Sequence, residues 1–364
     1  MEQLERLLNY YEEIIDVDCH RKNIAFQKSV MRFEKTDRIC MRFAYPSKDF
    51  TPYTMEEIHA DMGKMMFNEL LACAPDIETK SCGIPMIRAN YGVGALPCAF
   101  GLTSKIINGN MPWVEHVSQD EVREIIAKGV PENETGFGQK IVETYEFFRE
   151  TLSKYPKCNE AIKLYHPDYQ GPLDTAHLIY GPDIYVDMYA EPELVHELLA
   201  LVTETYIKRM KKIKPYLNDE YDEFCCHWHD LFPGKILLRD DSAVNLSPDM
   251  YHEFAQAYDD KIMQELGQAS IHFCGRADHW VFDMVHSKHV VGLNNIRMPN
   301  VTFGQEYLDF LAPEVMEKGV PMVGYGLDRN EFDTMDFEKY ATGISFFMSV
   351  QDKQEAQEIL ARCC

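Results

Sequence analysis

His272-Phe273-Cys274-Gly275 closes a short apolar run, Ala269-Ser270-Ile271. In an extended strand residues two apart share a face, so the imidazole of His272 and the thiol of Cys274 reach one point together while Phe273 faces away. Imidazole nitrogen and thiolate sulfur are zinc-type donors, and Gly275 lets the chain turn directly after them. A His-x-Cys pair is half a metal site. Its structural alternative is a small hydrophobic cysteine beside a hydrogen-bonded histidine.

A second pairing, His227-Trp228-His229-Asp230, puts two imidazoles on one face if the segment is extended, which makes His227 or His229 a candidate to join the same ion. A polar loop anchored by Trp228 is the alternative. Asp240-Asp241-Ser242 ends an apolar run with two carboxylates on opposite faces, so one of them faces a pocket. Asp241 is available as a general base, as an orienting partner for a ligating histidine, or as a third metal ligand; capping the next turn is the simpler role.

These residues need elements to position them. Eight short apolar runs read as strands: Arg38 to Phe43, Pro85 to Tyr91, Pro172 to Ile179, Lys235 to Arg239, Ser270 to Cys274, Val290 to Ile296, Val320 to Tyr325 and Gly343 to Val350. Amphipathic helical patterns lie between them, such as Glu191 to Ile213, opened by Pro192, and Pro248 to Leu266, capped by Ser247. Strand followed by helix, repeated, implies parallel strands joined by crossovers. No glycine-rich phosphate turn follows the first strand, so the pattern predicts an α/β protein of the (β/α)8 TIM-barrel type rather than an open doubly wound sheet. Residues 1–35 carry Leu4, Leu7, Leu8 and Tyr11 at helical spacing and read as an N-terminal helical extension, with residues 36–364 forming a single barrel.

In such a barrel, polar residues at the carboxyl ends of strands share one pocket. That rule nominates Asn90, Ser242, Asn294 and Arg297 for substrate binding, with His177 beside them. Asp241, Asp328 and His279 are the candidate catalytic groups. Turn formation is the alternative for Asp328 and a solvated loop for His279.

Composition sets the class. With 46% hydrophobic and 12% aromatic residues in 364, the chain has ample material for a large core. Its 36 basic and 59 acidic residues give a net charge of −23, which repels a phosphate backbone or an anionic membrane surface, so neither nucleic acid nor membrane is expected as a partner. The start Met1-Glu2-Gln3-Leu4-Glu5-Arg6 lacks a signal-like apolar stretch, and the 11 cysteines, including Cys225-Cys226 and Cys363-Cys364, show no disulfide framework. A cytoplasmic protein with reduced thiols is expected. Dimerisation is the base-rate expectation for its assembly. The 19 Met, 20 Phe and 20 Tyr residues suit a soft, aromatic barrel mouth for an aromatic or methylated substrate.

Between Asp37 and Val350 the chain resembles the uroporphyrinogen decarboxylase superfamily, a barrel family that also contains zinc-dependent, corrinoid-linked methyltransferases. The likeness is carried by Ile87-Arg88-Ala89-Asn90-Tyr91-Gly92, Gln170-Gly171-Pro172-Leu173, Asp183 to Pro192, Asp240-Asp241-Ser242, Leu246-Ser247-Pro248 with Tyr251, His272-Phe273-Cys274-Gly275, and Gly324-Tyr325-Gly326-Leu327-Asp328. The decarboxylases of the family grip substrate carboxylates with an arginine-containing loop after the first strand, whereas this chain reads Met41-Arg42-Phe43-Ala44-Tyr45-Pro46; their catalytic aspartate after the second strand is matched by Asn90. A polycarboxylate needs paired cationic forks. The methyltransferase branch is closer, because its fifth-strand His-x-Cys pair matches His272 and Cys274. That branch draws a further cysteine from the eighth strand, where this chain has Phe346-Phe347-Met348-Ser349-Val350. Either another residue completes the tetrahedron, or the metal is held weakly, or the site is not metallic.

The resemblance therefore implies a zinc-dependent methyltransferase that moves a methyl group between a small methoxy, amine or thiol compound and a corrinoid on a partner protein. The alternative is a metal-independent decarboxylase of a carboxylated pyrrole, using Asp241 or Asp328 to stabilise a protonated intermediate. A third reading is a non-catalytic protein that binds a corrinoid or other small ligand.

Overall fold

In the computed structural model, residues 2–297 and 303–363 are described. Eight short strands recur along the chain, each paired in parallel with its sheet neighbours: β1 (Met41–Ala44), β2 (Met86–Ile87), β3 (Lys163–Leu164), β4 (Ile236–Arg239), β5 (Ala269–Cys274), β6 (Val290–Ile296), β7 (Met322–Gly326) and β8 (Ile344–Ser349). Six of them form one sheet in the order β1-β8-β7-β6-β5-β4, with the first strand paired to the last, and β2 pairs with β3 separately. Single backbone hydrogen bonds reach across the two seams, from Cys82 N to Met41 O (3.4 Å) and from Gly171 N to Arg239 O (3.1 Å). This mixed α/β arrangement is compatible with a TIM barrel.

Seven of the eight expected strands appear where the apolar runs lie, and one does not. Pro172 to Ile179 forms a helix, α3 (Pro172–Tyr180). A short apolar run cannot be told from a buried helix by periodicity. Here Pro172 occupies the first turn, where its missing N–H costs nothing, and Asp174 favours the helix amino end. The third strand is instead Lys163–Leu164, too short to carry any alternation.

The N-terminal helices are α1 (Glu2–Ile14), which buries the expected Leu4, Leu7, Leu8 and Tyr11, and α2 (Val17–Met31), capped by the Asp16 side chain on Cys19 N. The side chain of Gln27 on α2 donates to Cys82 O (2.8 Å) and accepts from Leu231 N (2.6 Å). It thereby ties the approach to β2 to an antiparallel meander, Glu220–Tyr221, Phe224–His227 and Asp230–Pro233, inserted between β3 and β4.

The sheet has two unlike faces. One, carrying Ile236, Leu238, Ile271, Phe273 and Phe346, packs with the surrounding helices in the main apolar core. The other receives the meander, whose Leu231 and Phe232 join Leu237 of β4 and Val323 of β7 in a second apolar cluster. Room for it comes from small residues: Ser270 Oγ donates to Pro233 O (2.7 Å), and a Cβ on Gly292 would lie 3.1 Å from the Pro233 ring. Large residues at those positions would exclude the hairpin. No helix among the described residues is long and apolar enough to cross a membrane, and Cys364 of the terminal cysteine pair lies outside the described residues.

Candidate metal centre and adjoining cavity

Register brings Arg239, His272 and Asn294 side by side across β4, β5 and β6. Asn294 donates through Nδ2 to Val323 O (2.6 Å), which turns its Oδ1 toward His272 Nδ1 at 2.6 Å. That contact needs a proton on Nδ1, so Nε2 presents a lone pair, the arrangement by which neighbouring groups prepare a histidine for a metal. Burial lowers the pKa of His272, partly offset by the Asp241 carboxylate, which favours the neutral ring.

The lone pair faces two other donors. His272 Nε2 lies 3.6 Å from Cys274 Sγ and 3.5 Å from Asp241 Oδ1. Among the described residues, Asp241, His272 and Cys274 are the one group of three or more such side chains whose ligand atoms all come within 4.8 Å of one another. A tetrahedral zinc with bonds of about 2.0 to 2.3 Å requires N···O and N···S edges of about 3.4 and 3.6 Å. The two histidine distances meet that requirement. The side chain of His272 is 3% exposed and that of Asp241 is 40% exposed, so the group is rooted in the interior and opens at the carboxylate.

Asp241 is held from its own backbone. Asp174 of α3 accepts from the N–H groups of Asp241 (2.9 Å) and Ser242 (2.6 Å), while Asp241 Oδ1 accepts from Cys274 N (2.6 Å). Burial, and then Asp241 and Asp240, raise the pKa of Asp174 well above the usual carboxylate range. The Cys274 thiol is pushed up by burial and by Asp241. A cation would relieve both effects, because it offsets the crowded negative charge and stabilises a thiolate. On distances, tautomer and charge, the donor set fits zinc.

The remaining sequence candidates fall in three places. Asn294, Arg297, Asp328 and His229 line a cavity of about 880 Å³ at the ends of β1, β6, β7 and β8, along with Arg42, Trp228 and Phe347. His177 lies on α3 and bonds through Nδ1 to Ser242 Oγ (2.9 Å), beside the donor group. His279 contacts Leu246 O (2.7 Å) and Asn90 donates to Glu69 Oε1 (2.8 Å), so both hold loops together. Asp328 caps the helix Arg329–Thr334, with a reciprocal contact from Glu331, and pairs with Arg297 at 3.3 Å.

The extended reading of His227 to Asp230 does not hold. His227 pairs directly with Asp230, and the two-residue loop between them has Trp228 at φ 44° and His229 at φ 66°. Such a turn sends the two imidazoles apart: Arg239 Nη2 donates to His227 Nε2 (2.8 Å), and His229 Nδ1 contacts Asp76 Oδ2 (2.7 Å). Neither belongs to the donor group. Two-residue hairpin loops of this hand favour Asn-Gly, and a bulky residue held at positive φ costs roughly 1 to 3 kcal/mol.

That turn places Trp228 where sequence reasoning had only an anchor. Its ring meets the His272 ring at 4.8 Å and 81°, while the Arg239 guanidinium lies 4.8 Å from the indole centroid. Trp228 and Asn294 both touch His272 and both line the cavity, so the cavity adjoins the donor group at these two residues. Asp174 was also missed, although Pro172 followed by an acid two residues on is a readable helix start.

No protein-family model and no curated protein matches this sequence. Among solved structures, a methyltransferase from Methanosarcina mazei superposes with a TM-score of 0.64, covering 92% of this chain and 95% of that chain at 15% identity. At that identity the likeness is one of fold.

Proposed function

We propose that this chain is a cytoplasmic methyltransferase whose eight parallel strands close as a (β/α)8 barrel over residues 36–364, with residues 1–35 as a covering extension. It would hold zinc through Asp241, His272 and Cys274 and move a methyl group between a small methoxy, amine or thiol compound and a corrinoid carried by a partner protein. The observation that carries this reading is the donor triad, with its 3.5 and 3.6 Å spacings and its histidine tautomer set by Asn294. The fold shared with the archaeal methyltransferase supports it.

Zinc bound there supplies Lewis acidity, lowering the pKa of a thiol or improving an ether oxygen or amine as a leaving group. The protein's part is preparation. Asn294 keeps the proton of His272 on Nδ1, Asp174 fixes the chain that carries Asp241, and Cys274 must give up its proton to bind a cation. Trp228, Phe232 and Phe347 give the neighbouring cavity apolar surface.

The pyrrole decarboxylase reading is weaker. Arg42 pairs with Asp230, Arg297 with Asp328 and Glu331, and Arg329 with Asp333 and Glu355, which leaves no unpaired cationic fork in the cavity for several carboxylates.

Elemental analysis of purified protein is the test, beside His272→Ala, Cys274→Ser and Asp241→Asn and with methylation of cob(I)alamin followed by absorbance. Zinc near one per chain is expected in the parent, with a drop of about tenfold or more in affinity in each variant. A metal-free parent that still transfers methyl groups overturns the zinc mechanism. A zinc-loaded parent that binds a corrinoid yet transfers nothing favours the binding-protein reading.

A further inference from the structure

The cavity beside the donor triad is far larger than a methyl carrier of a few atoms requires. At about 880 Å³ it is the size of a site for a ring-bearing ligand, and Trp228, Phe232, Phe347 and Tyr45 supply aromatic wall. The indole of Trp228 is held from several sides: by Arg239, by the edge-on His272 ring, and by a backbone turn that only strong tertiary constraint maintains. A rigid aromatic surface recognises a flat partner at little entropic cost.

Charge narrows the class further. Arg42, Arg297 and Arg329 line the cavity against Asp328, while their other carboxylate partners Asp230, Glu331, Asp333 and Glu355 are absent from its lining. The lining itself thus shows three guanidinium groups and one carboxylate, each guanidinium already paired, within a chain of net charge −23. Methylated ammonium ions are recognised by aromatic faces whose negative charge is free to meet them. The Trp228 face already serves the Arg239 guanidinium, so a second cation there gains less.

We infer that the cavity binds a flat aromatic methyl ether, neutral or bearing one carboxylate, against Trp228, and that Trp228 determines this specificity over methylated ammonium and aliphatic ethers. The position of the methyl group on an ether oxygen rests on the methyl-transfer reading; recognition of the ring does not.

Isothermal titration of the purified, metal-analysed protein tests it with four probes: 4-methoxybenzoate, 2-methoxyphenol, methoxyacetate and tetramethylammonium. The two aromatic probes are expected to bind about tenfold or more tightly than the other two. Trp228→Ala should weaken them about tenfold, and Trp228→Phe by no more than about threefold, as for a buried aromatic anchor. Should Trp228→Ala fail to fold by circular dichroism, Phe347→Ala, at another aromatic residue of the lining, is expected to show a loss in the same direction. Equal binding of tetramethylammonium or methoxyacetate overturns the inference, as does aromatic binding that neither alanine variant weakens. Aromatic binding by a parent that lacks zinc yet still transfers methyl groups sinks the metal mechanism alone; a zinc-loaded parent that binds no aromatic probe sinks this inference alone.

Discussion

The ends of β4 and β5 and the ends of β1, β6, β7 and β8 handle charge in opposite ways. At the first, Asp174, Asp240, Asp241 and Asp259 crowd together; burial raises Asp174 and Asp259 well above the usual range and Asp240 to about 6. Asp240 and Asp259 share a side-chain hydrogen bond, with the proton kept on Asp259. At the second, every cavity arginine faces a carboxylate and the wall between them is aromatic. At one end carboxyl groups hold protons for want of a cation, and at the other the positive groups are already paired. The lesson is that the chemistry and the recognition of substrate are separable here, joined only where Trp228 and Asn294 touch both.

The largest effect should come from breaking the hairpin's hold on the cavity end. Asp230 is buried and pairs with Arg42 while accepting from Ser345 Oγ at 3.4 Å. Asp230→Ala leaves a guanidinium uncompensated, so urea denaturation should show a loss of about 3 to 5 kcal/mol. The double variant Arg42→Met with Asp230→Leu should recover most of it. A loss below about 1 kcal/mol would mean that packing, not the ion pair, holds the hairpin.

Gly324→Ala tests the joint between the two ends. Gly324 sits at φ +69°, and an added Cβ would lie 3.2 Å from Asp230 Oδ2 and 3.3 Å from Asn294 Nδ2. A destabilisation of about 1 to 3 kcal/mol is expected. Zinc affinity should fall with it, because the push on Asn294 reaches His272. Affinity unchanged despite lost stability would show that the two ends are uncoupled.

Asn294→Ala attacks the same joint without touching backbone strain. Loss of the carbonyl that fixes the His272 tautomer should cost roughly 10- to 100-fold in zinc affinity, read by competition with a chelator. Asn294→Asp keeps an acceptor for Nδ1–H and should lose less. Equal losses in the two would assign Asn294 a packing role only.

How much of this was legible depends on which forces act locally. His272, Cys274 and Asp241 could be read because strand alternation and strand-end position are properties of a few adjacent residues. The tautomer of His272 could not, since it is set by Asn294, a residue 22 positions away. The helix at Pro172 was misread because an apolar run has no phase, although its first turn was marked by Pro172 and Asp174. The turn at Trp228-His229 was hidden for the opposite reason. Local preference argues against positive φ for both residues, and the hairpin, Arg239 and Asp76 together override it.

The smallest effect concerns the foot of the hairpin, which belongs to neither end. Burial raises the Asp219 carboxyl to about 6 despite Lys214 at 3.5 Å, and Asp219 O accepts from Cys226 N at 2.7 Å. A carboxyl whose folded pKa exceeds its unfolded value binds more protons when folded. Its stabilisation is therefore complete below the unfolded value near 3.8 and is lost as pH rises through about 6. Urea midpoints of the parent should fall across that window by an amount that a shift from 3.8 to about 6 caps at about 3 kcal/mol, and Asp219→Asn should flatten the fall. Zinc content should stay the same in both proteins, because Asp219 lies outside the donor triad. Parallel pH profiles would show that Asp219 stays ionised beside Lys214, and a change in zinc content would extend the donor end's reach to the hairpin's base.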